Sequence, residues 1–134
     1  MRDGGAALLI VLAVAAGGCG QSSNRDTVRT TTERFFAAYK ADQGKTACIA
    51  LSEDTIKELE SQEMKSCPEA IGDVQLEPGA VKSIEVTVTN AKVDLSSGET
   101  LFLSEQSNGW RISALGCKPQ GEITNSPFDC ELQA

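Results

Sequence analysis

Residues 81–115 read VKSIEVTVTNAKVDLSSGETLFLSEQSNGWRISAL, and their apolar side chains recur at every second position. Ile84, Val86 and Val88 alternate with Glu85, Thr87 and Thr89, and Ala91, Val93 and Leu95 alternate with Lys92 and Asp94. A period of two places one set on one face of a pleated strand, so this stretch predicts two strands, or one strand bent at Asn90. Ser96-Ser97-Gly98 then turns the chain into a strand over residues 100–106, with Leu101 and Leu103 on one face. Ser107-Asn108-Gly109 turns it again into residues 110–115, where Trp110 is in phase with Ile112 and Ala114. Strands joined by short turns form an antiparallel meander. Its inward set, Ile84, Val86, Val88, Val93, Leu101, Leu103 and Ile112, contains no ionisable residue, which predicts a dry core.

Upstream of residue 81 the period is that of a helix. Val28, Thr31, Thr32, Phe35, Phe36 and Tyr39 fall on one side of residues 26–41, with Arg29, Glu33, Arg34 and Lys40 on the other. Asp42 is placed to cap a short helix over 44–51. Ser52 is placed to cap a third helix ending near Gln62, with Glu53 and Asp54 in its first turn and Leu51 positioned to staple against Ile56. Pro68 suits the first turn of a fourth, over 67–71. Helices followed by hairpin-linked strands are the α+β pattern, in which N-terminal helices pack on one face of an antiparallel sheet. The tail, residues 116–134, is rich in Pro, Gly, Asn and Ser and reads as too polar to supply core.

Charge and composition narrow the chemistry. The 134-residue chain carries 12 Lys+Arg against 19 Asp+Glu, a net charge of -7, and no His. Such a balance repels a phosphate backbone, so no nucleic-acid partner is expected. Without imidazole there is no Ser-His-Asp or Cys-His catalysis and no His metal site. Gly44-Lys45-Thr46 resembles the end of a phosphate loop but lacks the earlier glycine, because position 39 is Tyr, and it follows a helix. The pairs Glu53 with Asp54 and Glu58 with Glu60 lie on a solvated helix face, where nothing raises a carboxyl pKa for acid-base work. Asn125-Ser126 is followed by Pro127 and forms no glycosylation sequon. No catalytic residue, metal or cofactor is expected. The aromatics Phe35, Phe36, Tyr39 and Trp110 fall on inward positions and read as core, with Phe35, Tyr39 and Trp110 as pocket lining in the alternative.

Residues 6–16, AALLIVLAVAA, form an apolar run too short for a bilayer span of about 20 residues but the length of a signal-peptide core. Ala16, Gly17 and Gly18 before Cys19 resemble the bacterial lipobox, in which cleavage precedes a diacylglyceryl-modified cysteine. This predicts a signal peptide over 1–18, lipid attachment at Cys19, a flexible tether over 19–25 and a folded domain over 26–134. Four cysteines remain, Cys48, Cys67, Cys117 and Cys130, an even number in a chain destined for an oxidising compartment. They contain no C-x-x-C, and a zinc site would need all four from scattered positions. Of three connectivities, Cys48 with Cys67 and Cys117 with Cys130 closes the shortest loops.

ERFFAAYKADQGKTACIALS, SCPEAI, a V-x-V, ETLFLSEQSNGWRISALGC and FDCE, in that order, resemble exported bacterial lipoproteins with a nuclear transport factor 2-like, or cystatin-like, domain. The resemblance covers nearly all of residues 19–134. It implies a curved antiparallel sheet wrapped round helices to leave a conical pocket, and the same cysteine pairing. It also implies a lipid-anchored protein on the extracytoplasmic face of the cell membrane, binding a small apolar ligand or an envelope protein. The alternatives are an enzyme of the polyketide cyclase or ketosteroid isomerase kind and a structural envelope protein. Isomerase chemistry needs a buried carboxylate base, and Asp94 alternates away from the core while Asp42 reads as a cap.

Overall fold

The structure, a computed structural model, describes residues 19–121 and 127–134. The expected signal peptide over 1–18 lies outside the described residues. Helices come first: α1 (Cys19–Lys40), α2 (Gly44–Ile49), α3 (Glu53–Glu63) and α4 (Cys67–Ala70), then a 3-10 turn, Ile71–Asp73. Strands follow: β1 (Val81–Val86), β2 (Asn90–Leu95), β3 (Thr100–Gln106), β4 (Gly109–Pro119), β5 (Phe128–Asp129) and β6 (Leu132–Gln133). The antiparallel order is β1-β2-β3-β4, with β5 and β6 both pairing β4, so the sheet is open and the fold is α+β.

Helix α1 packs its Val28, Phe35, Phe36 and Ala38 into the core together with Val93, Leu101, Leu103, Trp110 and Ile112 from the sheet. Thr32 is also buried, and its hydroxyl donates to the Val28 carbonyl at 2.9 Å, one turn back, so no polar group is stranded. The helix begins at Cys19, where a tether had been expected to run to residue 25. Residues 20–25 have no apolar stripe to announce a helix, yet backbone bonding continues through them, and the Thr27 hydroxyl donates to Ser23 O at 3.0 Å.

Asp42 is not a cap for α2. It sits at φ 56° just past α1, its N–H bonded to Tyr39 O and the next N–H, of Gln43, to Ala38 O. That pair of bonds is the Schellman ending, with Asp in the left-handed position usually given to Gly. Residue 43 is the N-cap of α2 and its side chain makes no capping bond. Ser52 caps α3 as expected, accepting from Thr55 N at 3.2 Å. Both disulfides join the expected pairs, Cys48 with Cys67 and Cys117 with Cys130. The first ties α2 to α4 where their backbones nearly touch: a Cβ on Gly44 would collide with the Pro68 backbone, 2.8 Å from its carbonyl carbon and 2.9 Å from its Cα.

The sheet departs from the expected alternation at Val88 and along β4. Val88 is 86% exposed, because β1 ends at Val86 and residues 87–89 form the turn into β2. Phe102 faces Ala114 while Leu103 faces Ile112, so β4 has one extra residue at Ser113. This bulge inverts the phase of the strand. Leu115, fully buried, joins the core, and Ala114 instead lines the far face of the sheet beside Phe102 and Phe128. The tail, expected to contribute nothing, supplies Leu132, which is fully buried and held by β6 against β4.

Candidate functional site

The three aromatic residues weighed as pocket lining are packed inward. Phe35 is fully buried, its ring centroid 5.1 Å from that of Phe36 and 6.2 Å from that of Tyr39. The Tyr39 hydroxyl donates to Val74 O at 2.8 Å and is not free to act on a ligand. Trp110 is 3% exposed and its Nε1 has no hydrogen-bond partner among the described residues. None of the three lines the surface cavities described below.

The carboxylates divide by environment. Glu53 and Asp54 sit 2.9 and 3.8 Å from Lys57 on the exposed face of α3. Glu58 accepts from Gln62, and Glu60 accepts from Cys67 N at 2.9 Å, which holds the start of α4. Asp94 lies on the far face of the sheet. Burial works to raise its pKa, but the hydroxyls of Thr100 at 2.7 Å and Ser83 at 3.0 Å, with Lys92, hold it below the usual carboxylate value. It is a stable anion and a poor base. Among the described residues no three His, Cys, Asp or Glu side chains gather as a metal site.

Glu99 is the ionisable residue that alternation did not reveal. It directly follows the Ser96-Ser97-Gly98 turn and is 2% exposed. One carboxylate oxygen accepts from Glu77 N at 3.0 Å; the other is buried without a partner among the described residues. Burial raises its pKa above the ordinary glutamate value, opposed by the Glu77 N–H and reinforced by the Glu77 carboxylate. A raised native pKa favours folding fully only below the unfolded value, and that contribution is lost as pH rises through the native value. Glu99→Gln is therefore expected to raise the melting temperature by a few degrees at pH 7.5 and by almost nothing below pH 4.5. Melts at the two pH values check this, and an equal shift at both would contradict it.

Cavities among the described residues open at the surface, and three of them have distinct linings. One, of about 210 Å³, lies on the far sheet face between Phe102 and Phe128, and no charged side chain lines it among the described residues. A second, of about 310 Å³ between α1 and the start of β1, holds Lys40 together with Arg29 and Glu33, which lie 3.9 Å apart. The third, of about 330 Å³, is lined by Thr31, Arg34, Thr46, Ile49, Ala50 and Arg111. Local structure explains that convergence. Thr31 and Arg34 stand one turn apart on α1, as Thr46 and Ile49 do on α2. Just after α2, Ala50 O accepts from Ile112 N at 2.8 Å and Ser52 N donates to Ile112 O at 2.9 Å. The end of α2 is thereby pinned beside β4, next to Arg111. The Arg111 guanidinium donates to Trp110 O at 2.9 Å, which fixes its head.

Sequence reasoning placed Arg34 on a solvated helix face and gave Arg111 no role, because nothing local links residues so far apart in the chain. No family model, curated protein or solved structure matches this chain.

Proposed function

We propose that this chain is a lipid-anchored extracytoplasmic protein with a non-catalytic binding domain of the nuclear transport factor 2-like kind. The observation that carries the reading is the cysteine count. Two disulfides take four of the five cysteines, and the one left over is Cys19, which follows an apolar run and the small residues Ala16, Gly17 and Gly18. Disulfides persist in oxidising compartments, the same destination that a signal peptide gives. No helix among the described residues is long and apolar enough to cross a membrane, so in this reading attachment falls to the acyl chains of Cys19.

A binding role is favoured over catalysis by the state of the ionisable groups. Asp94 is held as an anion by its donors, Tyr39 is bonded to backbone, and Glu99 is enclosed beneath residue 77, away from the three cavities. Intact-mass analysis of protein isolated from membranes tests the anchor. The expected mass is that of residues 19–134 with both bridges formed and acyl groups added, and Cys19→Ser is expected to carry no acyl mass. Unacylated wild-type protein refutes the reading.

A further inference from the structure

We infer that the seam cavity between α1, α2 and β4 binds a small amphiphilic anion, a carboxylate head on a short apolar arm. The inference deepens the binding role proposed above but does not depend on the anchor. The cavity lining contains two guanidinium groups and no carboxylate, in a chain whose net charge is -7. Acidic residues answer some of the other cations of the fold, though not Lys40, Lys45 or Lys82 among the described residues: Lys57 meets Glu53 and Asp54, Lys65 meets Asp73 at 2.6 Å, and Lys118 meets Glu77 at 3.3 Å. The Arg34 guanidinium has no hydrogen-bond or ion-pair partner among the described residues, and that of Arg111 bonds only a neutral carbonyl.

A guanidinium fork has five N–H donors and matches the two oxygens of a carboxylate. Arg111 spends one nitrogen on Trp110 O, which orients the group and leaves donors for a ligand. The hydroxyls of Thr31 and Thr46 add polar contacts at the same wall. Ile49 supplies the apolar side: it is 69% exposed, an unusual position for a large aliphatic residue, and it offers surface that an alkyl arm would remove from water. The volume, about 330 Å³, lies at the small end of ligand pockets and suits a short arm. The other two cavities lack this combination: one has no charged side chain in its described lining, and the other sets a carboxylate, Glu33, among its cations Arg29 and Lys40.

Calorimetric titration of the full protein in detergent with hexanoate, acetate and 1-hexanol tests the inference, with phosphatidylglycerol vesicles as a fourth probe. Hexanoate is expected to bind more tightly than acetate, and hexanol not measurably. Arg34→Gln, Arg111→Gln and Ile49→Glu are each expected to weaken hexanoate by about tenfold or more, as loss of a charge-assisted contact or addition of a like charge requires. Ile49→Glu changes an exposed side chain, so its unchanged melting temperature separates lost binding from lost folding. Equal affinity for acetate and hexanoate overturns the apolar arm. Arginine-dependent capture by the vesicles without hexanoate binding overturns the small ligand in favour of a membrane surface. Hexanoate binding that all three variants retain moves the site elsewhere and leaves the binding role standing, and no hexanoate binding at all overturns the inference. None of these outcomes bears on acylation of Cys19.

Discussion

Trp110→Ala is expected to destabilise the domain by about 3 to 5 kcal/mol, the range for truncating a large aromatic side chain inside a core. Trp110 begins the inward set of β4 and shares one cluster with Phe35, Leu103 and Ile112, at 3% exposure. Domains of this size hold only about 5 to 15 kcal/mol in total, so the loss corresponds to a fall of tens of degrees in melting temperature, with both disulfides still formed. Trp110→Phe is expected to cost much less. It removes Nε1, which makes no hydrogen bond, and so gives up only part of the ring's volume and none of its polar pairing. Thermal melts of the two variants check the order. A shift of less than a few degrees for Trp110→Ala would refute the core role of this side chain.

The α+β order, the paired strands and the Ser52 cap were legible because each is written in local pattern: period two, period 3.6, and a hydroxyl before an acidic first turn. The cysteine pairing was legible from loop length. What escaped the sequence depends on partners. The bulge at Ser113 is visible only when β3 is laid beside β4, although Leu115 after Ala114 is a break in the alternation that hinted at it. Val88 continues the alternation of β1 in sequence, but the turn before β2 begins ahead of it. Asp42 has the composition of a cap and the conformation of a helix ending, and only its backbone angle separates the two. Leu132 is one of the few apolar residues of a polar tail, carried into the core by the Cys117 to Cys130 bridge and a two-residue strand. Glu99 and the pair Arg34 with Arg111 are tertiary coincidences. No window of sequence encodes that residue 77 covers the first or that Ile112 anchors α2 beside the second.

Removing either disulfide is expected to destabilise the domain by roughly 3 kcal/mol in the loop-entropy model, because the two loops are of similar length. The bridges span 19 and 13 residues, and the logarithmic dependence of closure entropy makes that difference worth only about 0.3 kcal/mol. What separates them is where the loss falls. Cys48 and Cys67 are both buried among core residues, and α2 packs backbone to backbone on α4 at Gly44 and Pro68, so parting these helices opens the core itself. Cys48→Ala with Cys67→Ala is therefore expected to lower protection of the whole sheet in hydrogen exchange, in step with the fall in melting temperature. Cys117 to Cys130 instead holds a tail of two short strands against β4. Cys117→Ala with Cys130→Ala is expected to release amides of residues 128–134 first, with Leu132 leaving its place beside Leu115, while amides of β2 and β3 keep exchange close to the global rate. Uniform loss of protection in both double variants would show that the tail is part of the same cooperative unit as the helices. Loss confined to the tail in the first variant would show that the α2 to α4 clamp is dispensable to the core.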